Sequence, residues 1–250
     1  MNTASIFFPV LLLIMFFTAS SSSASDNSVD NSIYADLLKK YVKNGIVDYQ
    51  GFKNEEYRLD EYLKILENTQ SIELSVNERF AFYINAYNAW TIKLVLTNYP
   101  GIKSIKELGS LFKSPWKKKI CRIDRQLLSL DDIEHKILRP TFNDPRIHFA
   151  VNCASKGCPV LISEPYAAKT IERQLELSTQ TFINDPQKNY LQGDTLYVSS
   201  IFKWYSQDFG NDVVRFVSKY ASGTLMAELS AGTDKIKVRY LDYDWSLNGK

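Results

Sequence analysis

Apolar positions recur at helical spacing in the first part of the chain. Ile33, Leu37, Leu38 and Tyr41 mark one face, and Asn44-Gly45 supplies a stop. Val47-Asp48-Tyr49 reads as a brief extended piece. Glu55 to Asn68 carries Leu59, Tyr62, Leu63 and Leu66 on one side, a second amphipathic helix. Ser75 and Glu78 have capping-box spacing. From Phe80 to Tyr99 the chain is then apolar nearly all round, which predicts a central, buried helix ended by Pro100-Gly101.

The second part is patterned differently. Trp116 to Ile123 and Gln126 to Ser129 predict a hairpin about Asp124-Arg125. Ser129 with Asp132 opens a short helix, Leu130 to Arg139, stopped by Pro140. Ile147 to Val151 reads as a short apolar strand running into the break Asn152-Cys153-Ala154-Ser155-Lys156-Gly157-Cys158-Pro159. Ile171 to Ile183 is an amphipathic helix. Tyr190 to Gln192 and Thr195 to Ser199 form a hairpin about Gly193-Asp194. Ile201 to Phe209 is aromatic-rich, Val213 to Tyr220 helical, and Ile236 to Tyr240 a last strand. With no internal repeat and no long linker, this pattern predicts a single α+β domain. Its helical first half surrounds the central helix, and a small antiparallel or mixed sheet is built from short strands.

The chain has 250 residues, and its beginning is expected to lie outside the domain. Ile6 to Ala19 is an apolar run shorter than the roughly 20 residues of a spanning helix. Ser20-Ser21-Ser22-Ser23-Ala24 follows and fits cleavage after Ala24. No Lys or Arg precedes the run, so an uncleaved anchor is the alternative. No Cys lies near its end, which argues against a lipoprotein. The expected organisation is a signal peptide over 1–24, a loose segment over 25–31 and the domain over 32–250. The localisation is then secreted or periplasmic, with no stable membrane span once the signal is removed.

Net charge is +2, from 30 basic and 28 acidic residues, and announces no nucleic-acid partner. The Lys117-Lys118-Lys119 run reads as a solvated guard on an edge strand. The 33 aromatics argue for an ordered core. No Gly-rich phosphate loop, Gly-x-Ser-x-Gly elbow or His-Glu-x-x-His helix is present. The Cys and His spacings match no common zinc pattern, and no cofactor is expected.

Three Cys, at 121, 153 and 158, leave at least one thiol over or pairing between chains in an oxidising compartment. Cys153 sits where the expected strand gives out, a place that leaves a reactive atom reachable on a rigid support. A neighbouring imidazole activates a thiol, and the chain holds two His, at 135 and 148. On an extended strand rising about 3.3 Å per residue, His148 stands roughly 16 Å from Cys153 and faces the other way. His135, on a separate element, is therefore favoured as the base, with His148 a packed or hydrogen-bonded neighbour. Asn85 and Asn88 lie one turn apart on the central helix. They either bond to backbone and fix the packing or orient the catalytic imidazole. The pairings Cys153–Cys158 and Cys121–Cys158 both stay open, and a structural disulfide is the alternative to a reactive thiol.

Several blocks resemble the DUF547 (domain of unknown function 547) family. They are Ala81-Phe82-Tyr83-Ile84-Asn85-Ala86-Tyr87-Asn88-Ala89, Ile133-Glu134-His135-Lys136-Ile137-Leu138-Arg139, and His148 to Ser155 with Cys158-Pro159. Phe202-Lys203-Trp204-Tyr205-Ser206-Gln207-Asp208-Phe209 and Tyr243-Asp244-Trp245-Ser246-Leu247-Asn248 extend the likeness. The resemblance implies that a His at 135 and a Cys at 153 belong to the family pattern, and that His148 and Cys158 are less dependable. The order His before Cys is similar to circularly permuted papain-like thiol hydrolases, an analogy of arrangement.

Two functions are carried forward. One is an exported thiol hydrolase or acyl transferase on peptide or other amide bonds. In it Cys153 attacks, His135 moves the proton and Asn85 or Asn88 orients the ring. The other is a non-catalytic envelope binding or scaffold domain stapled by Cys153–Cys158. Its partner in either case is a peptide or small molecule.

Overall fold

A computed structural model describes residues 29–110, 114–232 and 235–249. The expected signal peptide over 1–24, and most of the loose segment after it, lie outside these residues. Among the described residues no helix is long and apolar enough to cross a membrane.

Helix α1 (Ser32–Tyr41) runs into the two-stranded hairpin β1 (Val42–Lys43) and β2 (Ile46–Val47). The turn residues Asn44 and Gly45 both have positive φ, so the expected helix stop also makes a hairpin. Tyr49 does not continue an extended piece. Asp48 caps the Gly51 N–H and starts α2 (Tyr49–Asn54). Helix α3 (Glu56–Asn68) follows as the pattern predicts.

Helix α4 (Val76–Leu96) is the centre of the larger core. The Ser75–Glu78 capping box closes both ways. Every residue from Phe80 to Ile92 is buried, which requires neighbours on all sides. Helices α2 and α3 pack against it, and later segments cover the rest. Asn85 and Asn88 are inside this shell. Asn85 donates to Tyr166 O at 2.8 Å and accepts from Tyr166 N at 2.8 Å. Asn88 donates to Ala150 O at 3.0 Å and accepts from Asn152 N at 2.8 Å.

The hairpin β3 (Cys121–Ile123) and β4 (Gln126–Leu128) turns at Asp124-Arg125, both at positive φ. It is shorter than its apolar pattern suggests, because Trp116 belongs to a 3₁₀ turn, Pro115–Lys117. A continuous helical stretch follows: α5 (Leu130–Asp132), a π-helix (Ile133–Leu138) and α6 (Arg139–Phe142). Pro140 does not stop it at Arg139. Pro140 lacks an N–H and crowds the preceding turn, and the helix accommodates it by widening. The Arg139 N–H accordingly reaches back to Glu134 O, five residues earlier.

The main departure is at residues 147–151. They form no strand but the helical turn α7 (Ile147–Ala150), with Val151 N–H bonded to Ile147 O at 3.0 Å. Asp144 accepts from Arg146 N–H just before it, and Pro145 O accepts from His148 N–H. The turn is buried on every side. Ile147 and Ala150 join the core of α4, while Phe149 joins a second core. A short run buried all round has no period to separate strand from helix.

That second core is built by α8 (Ile171–Ile183), β5 (Asn189–Gln192), β6 (Thr195–Val198), α9 (Ile201–Trp204), α10 (Val213–Tyr220), α11 (Gly223–Ala231) and β7 (Lys237–Tyr240). Strand β5 pairs antiparallel with β6, and β7 adds parallel to β6, giving a mixed three-stranded sheet. The architecture is α+β, with a helical first half and small sheets. The C-terminal tail returns to the first half. Asn248 O accepts from Val47 N–H, and Tyr49 Oη donates to Asn248 Oδ1 at 2.7 Å.

Because both ends of the Asn85 amide serve buried backbone, Asn85→Ala strands a donor and an acceptor. A loss of about 2–4 kcal/mol is expected in urea unfolding, as a lower midpoint at unchanged m-value. A stability within about 0.5 kcal/mol of the parent would contradict the assignment.

Candidate functional site

Where the two cores meet, α7, the π-helix, α9, the Cys loop and the tail enclose a cavity of about 220 Å³. Cys153, Cys158, His135 and His148 all line it. Asn85 and Asn88 do not line it, and their amides bond to backbone, not to an imidazole. Asn88 bears on the site indirectly, because it ties Ala150 and Asn152, the residues leading into Cys153, to α4.

The Cys loop is heavily constrained. Asn152 Oδ1 accepts from Ala154 N–H at 2.9 Å, and its Nδ2 donates to Pro159 O at 2.7 Å. These bonds hold Ala154 at φ 62°, a left-handed conformation that costs free energy for a residue with a Cβ. The tail straps the outside. Lys156 N–H bonds to Ser246 O, Gly157 N–H to Asp244 O, and Asn248 N–H to Ala154 O. A Cβ at Gly157 would lie 2.9 Å from the Tyr243 ring, so this close approach needs glycine.

Cys153 and Cys158 are joined in a disulfide, and Cys121 is a buried free thiol in β3. This closes the Cys121–Cys158 alternative. Burial pushes the Cys121 thiol far up, so it is inert. The two bonded sulfurs differ: Cys158 is buried, whereas Cys153 is partly exposed to the cavity. Cys153 Sγ lies 3.0 Å from Ser155 Oγ and 3.3 Å from Tyr243 Oη.

The helical form of α7 removes the argument that set His148 aside, because residues 148 and 153 are not spaced along a strand. His148 is 3% exposed and fully engaged. Its Nε2 lies 2.7 Å from Asp208 Oδ2, its Nδ1 is 3.9 Å from Glu134 Oε1, and its ring stacks on Tyr205 at 3.9 Å. Asp208 also takes both arms of Arg139, at 2.7 and 2.8 Å. The Arg139 guanidinium, with help from His148, lowers the Asp208 carboxyl to about 2. Burial lowers His148 below 6.5, against the opposing pull of Glu134 and Asp208.

His135 is more open. Its Nδ1 lies 3.0 Å from Arg139 Nη1. Arginine has no acceptor, so Nδ1 accepts and the proton of the neutral ring sits on Nε2, with Asp131 Oδ1 at 3.9 Å. At that nitrogen His135 is a donor. Beside it, Glu134 is turned into the cavity with its side chain 9% exposed. Burial first, and then the Glu134 carboxylate, raise the Tyr87 and Tyr205 hydroxyls.

Sequence reasoning gave no role in the site to Asp208, Arg139 or Tyr243, and read Glu134, with Asp131 and Asp132, only as favouring a helix N-terminus. A signal was available for two of them: the Phe202–Phe209 and Tyr243–Asn248 blocks are dense in aromatics around an acid. No group of three or more His, Cys, Asp or Glu stands placed to hold a metal among the described residues.

A model of the family described as a protein of unknown function, DUF547, matches residues 71–183. The match runs from the approach to α4 to the end of α8 and so includes the Cys loop, both His and Glu134, while Asp208 and Tyr243 lie beyond it. No curated protein and no solved structure matches the chain.

An imidazole with a lowered pKa is proton-free in the fold while the unfolded chain still binds the proton. The His148 contribution to stability is therefore present above pH 6.5 and lost as pH falls below it. The Asp208 contribution is present above 3.8 and lost as pH falls toward about 2. Ring NMR should place the His148 midpoint below 6.5, and Asp208→Asn should lower it further by removing a group that favours the charged ring. A midpoint above 6.5 would contradict this electrostatic account.

Proposed function

Since residues 71–183 match the DUF547 family, whose description assigns no activity, we propose from the site's own chemistry an exported thiol hydrolase or acyl transferase. It acts through Cys153 on peptide or other amide carbonyls. The observation that carries this reading is the setting of the Cys153 sulfur: on the cavity wall, between two hydroxyls at 3.0 and 3.3 Å.

Hydroxyls aimed at a sulfur favour its thiolate. The disulfide is the stored form, suited to an oxidising compartment, and a dithiol reductant opens it to give the Cys153 and Cys158 thiols. The Cys153 thiolate then attacks the carbonyl carbon and forms a tetrahedral adduct. The Cys153 thiol gives its proton to solvent as it ionises, and as the C–N bond breaks a solvent proton returns to the leaving amine, which His135 Nε2–H positions by a hydrogen bond, leaving a thioester on Cys153 and a neutral ring. Water or a second amine attacks the thioester and releases the sulfur as thiolate. Asn88 holds the loop that presents Cys153, and His148 stays buried between Asp208 and Glu134 as a positioning residue.

The disulfide supports a second reading. With Cys153–Cys158 closed, the same aromatic cavity serves a non-catalytic binding domain of the cell envelope, its loop stapled over the site.

Alkylation separates the two. After mild reduction, iodoacetamide should modify Cys153 at least about tenfold faster than a free peptide thiol, with Cys121 untouched. An aryl thioester probe should leave an acyl group on Cys153, visible by mass spectrometry and absent in Cys153→Ala. A Cys153 that resists reduction in the native protein, or reacts no faster than the peptide thiol, would favour the binding domain.

A further inference from the structure

The two buried carboxylates in this part of the molecule, Asp132 and Glu134, are partnered differently. Asp132, 7% exposed at its side chain, has Lys119 at 2.8 Å and Lys136 at 2.7 Å. Asp208 has Arg139. Asp144 has Arg146. Glu134 is as buried as Asp132, yet among the described residues no Lys or Arg lies within ion-pair distance of it. Its nearest ionisable nitrogen is Nδ1 of His148 at 3.9 Å, on a ring that burial keeps neutral. The Tyr87 and Tyr205 hydroxyls face it but bring no charge, and a buried carboxylate without a cation is costly.

The aromatic lining of the cavity supplies a second, independent observation. Trp204, Tyr243 and Trp245 pack on one another with centroids 4.5 to 5.6 Å apart. Their faces carry the negative lobe of the ring quadrupole. Trp245 already holds a cation on one face, with Lys106 Nζ 4.7 Å from its centroid. Trp204 is 47% exposed, so this wall meets solvent. The cavity lining includes two carboxylates, Asp131 and Glu134, and neither Lys nor Arg.

We propose that the cavity selects ligands carrying a protonated amine, seated between the Glu134 carboxylate and the aromatic wall of Trp204, Tyr243 and Trp245. Resting on the thiol reading, this makes the substrate an acyl compound with a free amino group near the reacting carbonyl, such as an amino-terminal residue or a lysine side chain of a peptide. The binding preference itself does not depend on the thiol.

The test is a titration of the full protein with phenethylamine, phenethyl alcohol and phenylacetate, read by tryptophan fluorescence and NMR shifts. These probes are close in size and differ in charge. The amine should bind roughly tenfold tighter than the alcohol, and phenylacetate weakest. Glu134→Gln should bring the amine-to-alcohol ratio near one while leaving alcohol binding in place. Should that variant not fold, the order of the three probes on the unaltered protein decides alone. Equal affinity for all three, tighter phenylacetate binding, or an unchanged ratio in a folded Glu134→Gln protein would overturn the proposal. Repeating the titration with Cys153→Ala separates the two readings. If only the thiol chemistry fails, the amine preference persists there, and if only the amine preference fails, acylation of Cys153 by the neutral thioester persists.

Discussion

One buried amide holds the two halves of this molecule in register. Asn88, in the middle of α4, binds the carbonyl of Ala150 and the N–H of Asn152. Its donor and acceptor have no water to turn to, so the segment they hold must sit where it does. That segment is α7 and the first residue of the Cys loop. From it the position of Cys153 follows, as does the insertion of Phe149 into the second core. A single side chain thus couples the most buried helix to the most exposed sulfur of the disulfide.

Around that clamp the cavity is assembled from distant stretches. The Cys loop forms its floor, with Asn152 bonding three partners to shape it. The tail closes it from outside through backbone bonds at 156, 157 and 248. The π-helix brings Glu134 and His135 to it from the other side. Widening at Pro140 changes which residues of that stretch face inward, and a regular helix would not present the same two side chains.

Its charges are arranged in two tiers. Arg139, Asp208 and His148 form a closed set, in which the bidentate ion pair fixes Asp208 and Asp208 fixes the imidazole. Arg139 also sets the His135 tautomer through Nδ1. Glu134 and Asp131 stand outside this set with no such cation. The site therefore combines a neutralised, rigid base with an unbalanced negative inner surface, beside a sulfur held by two hydroxyls. This division is why the proposed chemistry runs through His135 and Cys153 while His148 supports.

Elements with a full period were legible in the chain alone. The capping box and all-round apolarity of 80–99 specified a central buried helix, which ends at Leu96, and the periods of α1, α3 and α8 specified their faces, because burial on one side leaves a repeat in the sequence. Turn chemistry at 44–45 and 124–125 was legible for the same local reason. Residues 147–151 were not, since a turn buried on every side leaves no repeat, and reading it as a strand misjudged where His148 stands. The π-helix escaped notice because Pro140 reads as a stop wherever packing does not hold the next turn in place. A sulfur, two imidazoles and two amides could be singled out by residue type. Which Cys pairs, what each amide bonds, and which carboxylate is left without a cation depend on contacts between residues up to about a hundred positions apart, and only the folded chain settles contacts at that range.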